Sequence, residues 1–427
     1  MRFKQLPVAL FGALLAVAGC SSTSNNPAPE SGTLTVWLMT GSAPQSVVDG
    51  VNADFKAKHP NVTVDVQLQQ WSDVTTKLDT AYAGSSPPDV VELGNTLVAK
   101  YAAAGALQDI SGKKGNYEGS STWLQSLTES CTFGGKLYCV PYYAGSRAVI
   151  YRKDMFTAAG ITNTPASMDE LLTDGQKLMD ANKSDSNYSA LYFPGKYWYA
   201  AAPFVWDFGG DIATQSGGQW KGSLDSAQSQ QGLTTLKGIV DKLSRADKTG
   251  DEAKQDQAFA QGHIAMIIAN GWEVGQVIDP KAGGDSSLKD KLGVFPIPSH
   301  TAGKTAPVFL GGSDLGIAAK SKMQGLAQEW VKLLAGVKFQ TQMATVGQVI
   351  PNNTTLLDLN ANNPLLGTFA AAAKNSRFVP NSPNWANVES GNVLQDMLVS
   401  IFTGKQAIPA ATSAASAQVA TILNAKV

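Results

Sequence analysis

From Thr33 onward the apolar positions fall in an order that predicts strand, helix, strand, helix, strand. LTVWLM is short, apolar and rich in β-formers; a helix start is then expected at Ser42, with Pro44 in the first turn and Gln45 three residues after the serine. Val47, Val48, Val51 and Phe55 share one helical face, and Pro60 ends the helix. VTVDVQL alternates, 71–82 reads as a second helix, and DVVEL after Pro87-Pro88 is a continuous apolar run of the kind buried in parallel sheets. Two right-handed crossovers make an open α/β sheet whose ligand crevice lies beyond the strands' carboxyl ends, in the loops 40–43 and 94–96.

The stretch CTFGGKLYCVPYYAGSRAVIYR, 131–152, reads as the passage from one lobe to another. Gly134-Gly135 supplies the positive φ of a tight hairpin turn. Pro141 removes a ladder donor, so the chain is expected to leave the first sheet there and to start a new strand at Ala148-Val149-Ile150-Tyr151, leaving 141–146 as hinge. Beyond it, Ser167 and Glu170 form a capping box, Leu233, Leu236, Ile239, Val240 and Leu243 make one stripe, and HIAMIIA is a buried strand followed by a helix at NGWEVG. LGVFPIP is a strand stopped by prolines, VFLGGSDLGIAA reads as the return to the first lobe, and 322–334 is helical. The remainder is mostly helical, with a break at 378–385. The expected division is lobe 1 from 33–140 plus 298–336 and lobe 2 from 141–297 plus 337–427. Lobes joined by three crossings can hinge but not drift apart.

At 427 residues the chain exceeds one ordinary core. Only 16% of residues are charged and the net charge is −1, which leaves no basic footprint for nucleic acid. Residues 1–20 look like an export signal: Arg2 and Lys4 precede an apolar run, 6–17, too short to span a bilayer. Val17-Ala18-Gly19-Cys20 resembles the lipobox of bacterial lipoproteins, which implies a diacylated Cys20 as the mature first residue and a membrane attachment through lipid. The alternative is a plain secretory site with a coincidental cysteine. SSTSNNPAPESG, 21–32, reads as a flexible tether. Setting Cys20 aside leaves Cys131 and Cys139 on either side of one predicted turn, in an oxidising compartment. A disulfide is expected, the alternative being two separately buried thiols.

Several pieces, in this order and spacing, carry a resemblance: LTVWLMTGSAPQ, PDVVELGNTLVAKYAAAGALQDIS, GKLYCVPYYAGSRAVIYRKDMFTAAGI, TPASMDELL, AFAQGHIAMIIANGWEVG and FLGGSDLGIAAKS. Together they resemble the family 1 extracellular solute-binding proteins that deliver carbohydrates to ABC importers. The resemblance implies an α/β, periplasmic-binding-protein-like fold, with two α/β lobes joined by a multi-strand hinge and a ligand cleft between them. It also implies an oligosaccharide ligand, ABC transporter permease subunits as partners, and a place on the extracytoplasmic face of the cell membrane. A monomer without cofactor or metal is expected. Carried over residue by residue, the family's ligand contacts fall on Thr40, Gly41 and Ser42, on Asn95 and Thr96 after Gly94, and on the hinge tyrosines Tyr142 and Tyr143. They fall also on the aromatic segment Tyr197, Trp198, Tyr199, on Trp272, on the turn holding Gly312 and Ser313, and on Trp385. Asn95 and Thr96 stand where the maltose-binding branch has charged residues, which speaks against maltose.

The residue chemistry agrees. A pyranose has an apolar face and polar edges, so its site wants flat aromatics beside hydrogen-bonding side chains. KYWYAAAPFVWDFGGD holds six aromatics; Phe204 and Phe208 are expected in the core, while Trp198 and Trp206 fit either core or cleft. Trp272 stands where a chain turns out of a sheet and reads as a cleft residue, Trp385 in a Pro- and Asn-rich break reads as a surface or cleft residue, and Trp37 and Trp330 read as core. Arg147 fits the surface, a salt bridge between the lobes or a ligand contact; Asp207 and Glu273 can accept hydrogen bonds from hydroxyls, but a solvated carboxylate is the commoner fate and is expected at both. A secreted glycosidase, the rival class, needs two placed carboxylates, and Glu92, Asp207, Glu273 and Glu389 sit in no catalytic motif. GGSDLG has Leu315 where a nucleophile elbow needs glycine, and His59, His263 and His300 lack metal-ligand spacing. A binding protein for a peptide or polyamine is the other alternative. A polyamine would want several acids near the cleft, and few are there.

Overall fold

The computed structural model describes residues 31–426; the signal segment, Cys20 and most of the tether lie outside them. β1, Gly32–Met39, is followed by the helix Gln45–Lys58 and then by β2, Val62–Gln69, parallel to β1 along its length. The helix buries Val47, Val48, Val51 and Phe55, as its spacing predicts. It begins at Gln45 rather than at Ser42, because the Ser42 hydroxyl donates to Glu92 and caps nothing. A second helix, Val74–Ala83, leads to β3, Val90–Gly94, parallel to β1 on its other side.

The chain then passes through a short hairpin, with Gly134 and Gly135 at φ 56° and 76°, into β4, Cys139–Gly145. Cys131 and Cys139 face each other across it, with Cα atoms 4.9 Å apart. β5, Arg147–Arg152, begins one residue after β4 but belongs to another sheet, where β6, Met266–Asn270, and β7, Leu292–Phe295, flank it antiparallel. β8, Gly311–Ile317, and β9, Ile350–Pro351, return to the first sheet, whose order is β9-β4-β8-β3-β1-β2.

Three expectations need correction. β4 stays in the first sheet to Gly145 instead of leaving at Pro141, since the register against β8 shifts there: Pro141 pairs with Asp314 and Tyr143 with Ser313, leaving Tyr142 as the extra residue of a bulge. A proline without N–H is tolerated where the ladder is already broken. The return comes at Gly311 rather than near Pro298, after Val308–Phe309 has paired with Ser376–Arg377. The helix Val337–Thr345 remains with the first lobe, burying Phe339 and Met343 in its core; Phe339 lies so close to Gly50 that a Cβ there would come within 2.8 Å of the ring. An apolar stripe says that a helix is covered, not by which lobe.

The second lobe's core gathers around the helices Trp198–Asp207 and Ala227–Leu243. Among the described residues no helix is long and apolar enough to cross a membrane.

Candidate functional site

Glu92 is the single ionisable residue of β3 and is fully buried. A carboxyl there needs donors, and it has them: the Met39 N–H at 2.8 Å and the Ser42 hydroxyl at 2.6 Å reach Oε2, and the Tyr143 hydroxyl reaches Oε1 at 3.4 Å. Ser313 donates in turn to the Tyr143 hydroxyl at 3.3 Å. Burial still pushes Glu92 above its ordinary pKa, against these donors. One carboxyl therefore ties the loop after β1 to β3, β4 and β8.

Above this network is a pocket of about 310 Å³, lined from the first lobe by Thr40, Gly41, Ser42, Trp71 and Tyr143 and from the second by Trp272 and Gln276. Trp272 opens the helix Gly271–Ile278, which Asn270 and Glu273 hold with a capping box. Its indole packs against Gly145, where a Cβ would come within 2.3 Å of the ring, so only glycine lets the tryptophan approach the hinge. Trp71, 46% exposed, stands over Gly94 on the other wall. A larger groove of about 920 Å³ opens between the helix Gln125–Ser130 and residues 373–381, but Phe378 is its one aromatic. The smaller pocket has three aromatics from two lobes and lies at the strands' carboxyl ends, where an open α/β sheet takes its ligand.

Of the expected site residues, the structure brings Thr40, Gly41, Ser42, Tyr143 and Trp272 to this pocket, with Ser313 one hydrogen bond behind. Asn95 is buried, its amide donating to the Leu310 carbonyl at 3.0 Å, and Thr96 donates to Glu389 at 3.0 Å. Gly312 is a hinge residue: at φ 143° its missing Cβ would stand 2.2 Å from the Tyr143 carbonyl oxygen. The other aromatics are corrected by burial. Tyr142 is wholly enclosed, its ring edge-on against Tyr143 with centres 4.9 Å apart and its hydroxyl toward the Met343 sulfur. Trp206 is core, with its indole N–H on Asp211, and Trp198 and Trp385 pack on each other with ring centres 5.9 Å apart. Phe208 is half-buried and stacked on His300, Trp37 is half-buried, and Trp330 is core as expected. Neither Glu273 nor Asp207 is a solvated carboxylate: Glu273 is buried and accepts from the Asn270 N–H and Gln255, and Asp207 accepts from His300.

Trp71 and Gln276 were not anticipated. Trp71 follows the end of β2, a position the carboxyl-end rule could have flagged; 71–82 reads as one helix, whereas the helix starts only at Val74.

Residues 40–341 match the family model described as bacterial extracellular solute-binding protein. The chain belongs to that family. The diacetylchitobiose-binding protein DasA of Streptomyces coelicolor is 34% identical over 414 residues, covering 95% of each chain. The galactooligosaccharide-binding protein of Bacillus subtilis is 23% identical, covering 95% of this chain and 94% of that one. The GacH receptor of Streptomyces glaucescens, solved unliganded and with acarbose, shares the fold at a TM-score of 0.79 and 23% identity, covering 93% of this chain and all of that one. The fold is thus the two-lobed α/β architecture of the solute-binding proteins.

In this solute-binding protein the Thr96–Glu389 bond joins the loop after β3 to the helix Trp385–Ser390. Burial pushes the Glu389 carboxyl up to about 7, with Thr96 as the opposing donor, and it pushes Glu273 up to about 7 as well. A carboxyl with a pKa raised on folding holds its proton more tightly in the folded chain. It costs nothing when both states are protonated, and it destabilises progressively as pH rises through the ordinary carboxylate value to the folded one. We expect Glu389→Gln, which keeps an acceptor for Thr96, to melt at an increasingly higher temperature than wild type as pH rises from about 5 to about 8. Scanning calorimetry across that range decides it, and parallel curves would sink the assignment.

Proposed function

We propose that this protein captures an oligosaccharide by hinge closure and delivers it to an ABC transporter permease. The observation that carries the reading is the pocket with Trp71 and Tyr143 on one lobe and Trp272 on the other: two-sided aromatic walls suit the faces of a pyranose, and Thr40, Ser42 and Gln276 can meet its hydroxyls. Bridging both lobes, the ligand would select the closed arrangement. The resemblance to DasA makes diacetylchitobiose the first candidate. From strand membership we place the lobe boundaries at 33–145 plus 311–351 for lobe 1 and 146–310 plus 352–426 for lobe 2.

A thermal-shift screen over mono- and oligosaccharides, diacetylchitobiose included, tests the ligand class, and small-angle scattering tests the mechanism. A stabilising sugar that also reduces the radius of gyration at saturation is the expected result. A screen without any stabilising sugar, or an unchanged radius with a bound one, would overturn the corresponding half.

We further propose that the exported chain is anchored through a lipidated Cys20 and carries a Cys131–Cys139 disulfide, the latter resting on their approach across the hairpin. In the chain-entropy model a bridge over so short a loop adds about 2–3 kcal/mol. Mass spectrometry of the unreduced protein from membranes should find a diacylated N-terminal Cys20 and one cross-linked hairpin peptide. An unmodified N-terminus or free thiols would count against each in turn.

A further inference from the structure

Arg147 opens β5 immediately after the chain crosses between lobes, paired with Asn270, and it is only 6% exposed. Its guanidinium lies 4.7 Å from the ring centre of Tyr199 and 5.5 Å from that of Phe309, and its Nε donates to the Tyr197 hydroxyl at 3.1 Å. These contacts leave Nη1 buried with no acceptor among the described residues. A buried, charged donor without a partner is costly, and the fold has not removed it.

The surroundings connect this donor to the wall of the pocket. Two residues before Arg147, Gly145 receives the Trp272 indole, and Gly145 pairs with Gly311 across the hinge. Phe309, under the guanidinium, lies against Gly311 and stacks on Tyr199. Arg147 therefore stands behind the Trp272 wall of the pocket, two residues along the chain from the glycine on which that indole rests.

Which acceptor fits follows from the neighbours. The Glu252, Glu273 and Glu389 carboxyls are all raised by burial, so these surroundings disfavour negative charge and would disfavour a ligand carboxylate as well. A hydroxyl would bring a donor needing its own partner, whereas a carbonyl oxygen only accepts. We propose that Arg147 is a specificity-determining residue of the cleft, its Nη1–H donating to a neutral carbonyl oxygen on the ligand, the acetamido oxygen of an N-acetylated sugar. The inference rests on the carbohydrate reading above.

Titration calorimetry of the mature protein with N,N′-diacetylchitobiose and with cellobiose, which has the same β-1,4 linkage but hydroxyls in place of acetamido groups, tests it. Wild type should prefer diacetylchitobiose, and Arg147→Met should reduce that preference on the order of tenfold or more, by weakening diacetylchitobiose and leaving cellobiose nearly unchanged. Arg147→Lys, which keeps the charge but not the planar fork, should fall between them. A folded Arg147→Met with the wild-type ratio overturns the proposal. If the variants do not fold, wild type alone still decides: equal or tighter binding of cellobiose overturns the acetamido contact while leaving the carbohydrate reading intact. Binding of neither sugar overturns the contact as well, and the carbohydrate reading falls with it only if maltose and galacto-oligosaccharides also fail to bind.

Discussion

Glu92→Ala is expected to lower the stability of the first lobe by about 2–4 kcal/mol, because it strands the buried Met39 N–H without an acceptor and opens a void under the Ser42 and Tyr143 hydroxyls. Glu92→Gln keeps one oxygen in nearly the same volume, and the expected loss is about half as large or less. The raised pKa supports this ordering: a carboxyl that burial drives toward its neutral form is replaced by an amide at modest cost. Glu92→Ala should also weaken sugar binding, since the loop carrying Thr40 and Gly41 loses its tie to β3. Denaturant melts of the three proteins check the first claim. Alanine behaving like glutamine would mean that the Met39 N–H finds water, and the network would not be what positions the loop.

Much of the first lobe was legible because its signals are local. Alternation in VTVDVQL, the apolar run at DVVEL and the proline breaks each reflect one element's own packing, and β1, β2 and β3 appear where they were expected. Chain crossings were less legible, since they depend on partners. Pro141 breaks a ladder rule only where the ladder is regular, and the bulge opposite Ser313 and Asp314 makes it irregular. The site divided in the same way. Trp272 could be read from its place at a strand end, but the 197–208 aromatics could not be sorted, because core and cleft both use flat apolar rings. Trp206 is covered by its own lobe, while Tyr199, from the same helix, is half-buried beneath Arg147. Only tertiary placement separates them.

Trp272→Ala is expected to weaken sugar binding by roughly ten- to seventyfold while leaving the fold nearly unchanged. Stacking one indole face on a pyranose removes on the order of 60–100 Å² of apolar surface from water, about 1.5–2.5 kcal/mol at roughly 25 cal/mol per Å². The structure supports this more strongly than position alone, since the indole is half-buried, lines the pocket and rests on Gly145 across the hinge. A core tryptophan behaves differently, and its loss would cost about 3–5 kcal/mol of stability. Trp330, with no exposed surface, is the internal comparison: Trp330→Ala should show that large melting loss, with sugar affinity close to wild type in whatever remains folded. Measuring melting temperature and affinity on both variants separates the roles. If Trp272→Ala instead melts like Trp330→Ala and binds like wild type, the tryptophan belongs to the lobe interface and another residue must supply the sugar's apolar wall.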